Sequence, residues 1–282
     1  MAQVPVFVIN LARRPDRLAR ISDHLAVRGV TFVVQPACDA RSIPEEKIAR
    51  AVKKNGPLGL LGLGDRACTV SHMWAWRSFL DTPASYALFL EDDVYLAEDV
   101  ATLLSDTGWI PRGHEAIKLE KYGDGASRLL LGQPVGKTPS GRALHPMLSR
   151  HVGGAAYLLS RRGAEIALAA EGRIRVPVDH LLFNGNVSAV ARRLRPVIIV
   201  PAMATQRAYP YESDISQMGK AARPKGWRLI LRHLKRGFYE LSRSPWQVLA
   251  LALGQGRLMD VTWQETPSIG GSETNTSASR IQ

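Results

Sequence analysis

Three carboxylates in a row, Glu91-Asp92-Asp93, directly follow the apolar run Tyr86-Ala87-Leu88-Phe89-Leu90. A run of that length suits a buried strand, so the acids stand at a strand's C-terminal end, where open α/β sheets form ligand crevices. Adjacent anions repel and lose hydration when enclosed, so a hard divalent cation, Mn²⁺ or Mg²⁺, would account for them. Extended backbone puts Glu91 and Asp93 on one side and Asp92 on the other. A second reading makes Asp93 a cap for a helix over residues 94–104.

Another polar cluster follows the first strand. Asn10-Leu11-Ala12-Arg13-Arg14-Pro15-Asp16-Arg17 gathers an amide, guanidinium groups and free backbone N–H groups at the entry to a helix. That suits a nucleotide diphosphate, although solvated arginines on a first turn fit as well. Asp39, after the second strand, could hold a ribose or base or serve as a turn acid. The elements that must position these groups alternate. Strands are expected at 4–9, 30–34, 86–90, 117–119, 155–160 and 197–200, and helices at 15–28, 44–55, 65–80, 161–170 and 178–183. The glycine-rich stretch 58–64 reads as a mobile loop, and 123–149 as loop-rich with hairpin potential. The class is α/β.

With 282 residues, 45% of them hydrophobic, the chain can bury a sizeable core. No apolar stretch approaches the roughly 18 residues of a membrane span. The first residues lack the basic start and long apolar centre of a secretory signal, which leads to the expectation of a cytoplasmic protein with Cys38 and Cys68 reduced. The net charge of +12 is concentrated: residues 219–245 hold eight Lys or Arg against Glu240 alone. Trp227, Ile230, Leu231, Leu234, Phe238 and Leu241 recur there at helical spacing. Such a basic amphipathic helix could lie on an anionic membrane surface over 219–253, extended by Trp246 and residues 248–253, or could dock on the domain. Nucleic acid is not expected, since few aromatics accompany basic residues elsewhere. The expected organisation is a main domain over 1–218, a basic helical region over 219–266 and a disordered tail over 267–282.

Taken in order, the segments at 7–17, 37–39, 65–72 with Trp76, 88–94, 153–160 and Pro177-Val178-Asp179 resemble glycosyltransferase family 25, in its bacterial lipopolysaccharide-type members. The resemblance covers residues 4–216. It implies a GT-A-like nucleotide-sugar fold and inverting transfer from UDP-galactose to a saccharide or glycolipid acceptor. It also implies a carboxylate cluster with Glu91 and Asp93 toward the metal and Asp92 toward donor sugar or ribose. Ser71 and His72 then belong to the donor pocket, with Asn10, Leu11, Arg14, Arg17 and Asp39. Departures from the pattern are Asp65 in place of the usual Glu, Ala67 in place of glycine, and Ala40 after Asp39.

Inverting transfer needs a base apart from the metal. Asp179, at a helix start late in the chain, is the expected base, with N-capping as its ordinary alternative and Glu120 as the fallback. His151 and His180 are possible third metal ligands, and Lys118 and Lys121 possible phosphate contacts. The competing functions are a metal-dependent nucleotidyltransferase or nuclease using the same acids, and an inactive membrane-surface adaptor. The implied location is the inner face of the cell membrane.

Overall fold

In the computed structural model, residues 4–123, 125–206, 237–238 and 244–266 are described. Its centre follows from period-two alternation of apolar residues. β1 (Val6–Asn10) turns Val6 and Val8 to one face and Phe7 and Ile9 to the other, and β5 (Tyr86–Glu91) does the same with Leu88 and Leu90 against Ala87 and Phe89. Strands apolar on both sides must be covered on both sides. In chain order, the elements between them are α1 (Pro15–Ala26), β2 (Val33–Pro36), α2 (Glu45–Ala51), β3 (Asn55–Gly56), β4 (Gly59–Leu60) and α3 (Leu63–Leu80). After β5 come β6 (Val94–Leu96), α4 (Val100–Ser105), β7 (Ala116–Lys118), β8 (Glu120–Lys121), β9 (Ser127–Gly132), β10 (Gly136–Lys137) and β11 (Ala143–Pro146). The rest are β12 (Ala156–Ser160), α5 (Arg161–Leu168), α6 (Val178–Phe183), α7 (Ala189–Leu194), β13 (Val197–Val200), β14 (Ala204–Gln206), α8 (Ser244–Ala252) and β15 (Gly256–Val261).

The main sheet has eight strands in the order β10-β11-β13-β7-β12-β5-β1-β2. β2, β1 and β5 are mutually parallel, and β12 is antiparallel to both β5 and β7. Helices α2, α3, α5, α6 and α7 cover one face, with Trp76, Phe79, Phe89 and Tyr157 at its centre. Ile21 and Leu25 of α1 and Leu103 and Leu104 of α4 cover the other. The fold is a mixed α/β sheet flanked by helices.

Two expectations change. Val94 begins a strand: β6 pairs antiparallel with β14, so the reading of 94–104 as one helix capped by Asp93 fails. Val94 and Leu96 are buried with Tyr95 between them partly exposed, a strand's alternation, and α4 starts only at Val100. The glycine-rich stretch is also more ordered than a loop. β3 and β4 form a small hairpin after α2 ends at Ala51, and Gly62 precedes α3. Beyond the basic stretch, most of which lies outside the described residues, β15 pairs along the whole of β9, and Ala202 accepts from Gln264 N and donates to Thr262 O. Residues 256–264 thus pack on the main body.

Candidate active site

β2, β1 and β5 run parallel, so the turns after all three leave the sheet at one edge, and a cavity of about 750 Å³ opens there. Leu11, Asp39 and the Glu91-Asp92-Asp93 turn line it, joined by Ser71 and His72 from α3 and by Asp179 from α6.

The three acids have different surroundings. Asp92 is buried and closed: Asn10 Nδ2 donates to its Oδ2 at 2.7 Å and Arg17 Nη1 to its Oδ1 at 3.1 Å. Burial raises its pKa in spite of both donors. Glu91 and Asp93 converge instead on one amide, Gln206 Nε2, which donates to Asp93 Oδ1 at 2.8 Å and Glu91 Oε2 at 3.3 Å. Arg17 reaches Asp93 only at 3.6 Å. Burial, then the charge of Glu91, pushes the Asp93 carboxyl up to about 7. For Glu91, burial acts upward but is outweighed by the bond and charge of His72 and by Cys68 and Lys118, so it stays below the usual range. Of this pair, Asp93 is the more readily protonated.

This arrangement fits a hard divalent cation. Two carboxylate oxygens converge on one point, their charge is incompletely neutralised, and a turn of the Gln206 amide would present a third oxygen in place of its N–H.

The other oxygen of Glu91, Oε1, faces α3, where His72 Nε2 lies at 3.2 Å and Cys68 Sγ at 3.6 Å. The four-residue spacing of Cys68 and His72 puts both on one side of the helix. His72 is fully buried, and its Nδ1 shares a 2.7 Å hydrogen bond with the Tyr157 hydroxyl, which also accepts from Trp76 Nε1 at 2.8 Å. The ring is therefore fixed from behind. Ser71 has a structural task, accepting from Cys38 N at 2.8 Å and tying the turn after β2 to α3.

Across the cavity, Asp179 sits in the first turn of α6. Its Oδ2 accepts from Gly153 N at 3.1 Å and its Oδ1 from His180 N at 2.7 Å. Gly153 has φ +88°, and a Cβ there would come within 2.4 Å of Glu120 Oε1, so only glycine fits. Asp65 also lines the cavity, its pKa raised by burial and further by the charge of Asp179.

The model for glycosyltransferase family 25 (LPS biosynthesis protein) matches residues 3–182. The chain belongs to glycosyltransferase family 25. It is similar to the lacto-N-neotetraose biosynthesis glycosyltransferase LgtB of Neisseria meningitidis serogroup A, with 31% identity over 72% of this chain and 74% of that protein. Similar too are LgtE of Neisseria gonorrhoeae, at 27% over 74% and 76%, and the lipooligosaccharide biosynthesis protein lex-1 of Haemophilus influenzae, at 23% over 67% and 68%.

Within this family-25 site, several expected residues stand elsewhere than at the cavity wall. Asn10 acts behind Asp92 rather than lining the cavity, and Arg14 pairs with Asp16 at 2.8 Å. Arg13 lines the wall in its place, held by Asp39 at 2.9 Å. Lys118 is fully buried against Glu120 at 3.2 Å and Gly153 O, and Lys121 is buried and donates to Gly123 O, which removes both as phosphate contacts. Glu120 is equally enclosed, its Oε2 accepting from Ala155 N at 2.8 Å, and cannot reach a substrate as base. His151 is buried outside the cavity wall, while His180 lines the cavity with its Nδ1 2.8 Å from Asn184 Nδ2. Neither joins the convergent group of Cys68, His72 and Glu91 among the described residues. Gln206 gave no signal in the sequence, Tyr157 stood in the 153–160 segment without a role, and Arg13 stood in the polar cluster after β1 with nothing to set it apart from Arg14. Asp65 stood in a motif, but nothing local marked it as a neighbour of Asp179.

Proposed function

We propose that this family-25 chain is an inverting hexosyltransferase with a GT-A-like site. It moves galactose from UDP-galactose to a saccharide acceptor of lipopolysaccharide or a related surface glycan. The observation that carries this is the convergence of Glu91 and Asp93 on one point at the wall of a cavity large enough for a sugar nucleotide. Mn²⁺ or Mg²⁺ held there would offset the charge of the departing diphosphate. Leu11 and Arg13 at the turn after β1, with Arg17 from the first turn of α1, would face the nucleotide, with Asp39 toward the ribose or base. Asp92, turned from the pair and locked by Asn10 and Arg17, would orient the donor sugar. Asp179 is the base: each of its oxygens accepts one backbone N–H, leaving a lone pair to receive the acceptor hydroxyl's proton. Those bonds fix the direction of the carboxylate at the cavity wall.

Calorimetric titration with UDP-galactose, UDP-glucose and UDP, first with Mn²⁺ and then with chelator, tests the donor site. Galactose-selective binding that vanishes with chelator and in Asp93→Ala is the expected result. Equal binding with and without metal would remove the acid pair from the metal role.

The acceptor's lipid end would be met at an anionic membrane surface through 219–253, at the inner face of the cell membrane. Supporting this, Trp246, Val248 and Leu253 of the described segment are each at least 60% exposed. No helix among the described residues is long and apolar enough to cross a membrane. Sedimentation with phosphatidylglycerol vesicles should be lost on deleting 219–253; unchanged binding would refute the membrane contact.

A further inference from the structure

Glu91 faces two ways. Its Oε2 belongs to the oxygen pair with Asp93, and its Oε1 lies with Cys68 and His72, a sulfur and a nitrogen donor. Hard cations such as Mg²⁺ and Mn²⁺ take the first kind of site, while thiolate with imidazole and carboxylate suits the borderline-soft Zn²⁺. The distances agree with that metal. Ordinary Zn–S, Zn–N and Zn–O lengths set at tetrahedral angles give ligand edges of about 3.6 Å between sulfur and oxygen and about 3.3 Å between nitrogen and oxygen. The corresponding separations are 3.6 Å for Cys68 Sγ to Glu91 Oε1 and 3.2 Å for His72 Nε2 to Glu91 Oε1, and all three donor atoms lie within 4.8 Å of one another.

We propose that Cys68, His72 and Glu91 form a zinc site separate from the Glu91–Asp93 oxygen pair. The second ring nitrogen of His72 already has an outer partner, since the Tyr157 hydroxyl at 2.7 Å can accept from Nδ1–H and leave Nε2 free to ligate. Trp76 Nε1 holds that hydroxyl in turn. All three ligands line the cavity, so a fourth position faces its solvent and can be filled by water. Binding releases the Cys68 thiol proton to solvent, and the proton on His72 Nε2 is replaced by one on Nδ1. The site shares Glu91 with the oxygen pair but needs neither Asp93 nor a sugar nucleotide, so its existence is independent of the transferase reading.

Cobalt(II), which reports a thiolate ligand by colour, tests it on the full chain. One equivalent of Co²⁺ should give a thiolate-to-metal charge-transfer band and visible bands of tetrahedral intensity, both removed by one equivalent of Zn²⁺. Cys68→Ser should abolish the charge-transfer band and weaken Zn²⁺ binding at least ~10-fold, the order of loss seen when even an outer partner of a metal ligand is removed. Asp93→Ala and Cys38→Ser should keep the band. Zinc-edge absorption of the unmutated protein adds a reading that needs no variant: one sulfur at about 2.3 Å is expected. A shell of only nitrogen and oxygen, or a zinc affinity that Cys68→Ser leaves unchanged, would overturn the assignment. Loss of Mn²⁺-dependent donor binding in Asp93→Ala with the cobalt band intact would separate the two metal positions.

Discussion

Two sets of buried charges in this molecule are built on opposite plans. Asp99 and Arg142 face each other through two hydrogen bonds of 2.8 Å, the remaining Arg142 nitrogen donates to Pro201 O and Ala202 O, and both side chains are nearly inaccessible. Every donor and acceptor there is matched, and the pair joins the start of α4, β11 and the turn after β13. Glu91 and Asp93 have only Gln206 between them, a distant Arg17, and one side open to the cavity. Charges that hold a fold are matched and closed off, whereas charges that bind something leave capacity unused and accessible.

The largest effect should come from breaking the closed pair. Arg142→Ala strands Asp99 in the interior and should lower unfolding free energy by about 3–5 kcal/mol in denaturant melts. Asp93→Ala, by contrast, removes repulsion from Glu91 and should leave the melting midpoint unchanged or higher. A comparable loss from both variants would mean that the two sets do not differ.

Next comes Asp179. Asp179→Asn should reduce transfer on the order of 10²–10⁴-fold, the ordinary worth of a general base, while calorimetric donor binding stays near the parent value. Unimpaired transfer by the folded variant would exclude that residue as base.

The pH response sharpens the contrast further. A cation at the Glu91–Asp93 pair must displace the Asp93 proton, so Mn²⁺ affinity should fall about tenfold per pH unit below roughly 7 and level off above it. For stability, the raised Asp93 pKa means that the folded state binds more protons than the unfolded chain between pH 4 and 7. Its contribution therefore declines as pH rises through that window. The pH dependence of stability in Asp93→Ala should lack this decline, a difference measurable by parallel melts of the two proteins.

The smallest effect is expected at the surface. Arg128 and Asp260 pair at 2.9 Å between β9 and β15, but both are open to solvent, and Arg128→Ala should leave the melting midpoint unmoved.

Local patterns in this chain carry local information reliably. The alternation in β1 and β5, the 3.6-residue spacing of Ile21 and Leu25, Gly29 after α1 and the acids after Leu90 each follow from constraints within a few residues, and each is found where the sequence places it. The shared side of Cys68 and His72 on α3 was legible in the same way. The extent of 94–104 was not, because Val94 and Leu96 become strand only by pairing with Ala204 and Gln206, more than a hundred residues away.

The sequence by itself determined the α/β class, the family and the acids at a strand end, because hydrophobic period and motif order are properties of the chain. Only the tertiary structure decided which acids are free to bind. Gln206 reaches Glu91 and Asp93 through strand pairing, Gly153 aims Asp179 through a backbone bond, and the turn before α1 sends Arg13 rather than Arg14 into the cavity. These outcomes depend on charges, dipoles and burial contributed by segments distant in the chain, and electrostatic energy depends on separation in space rather than along the sequence.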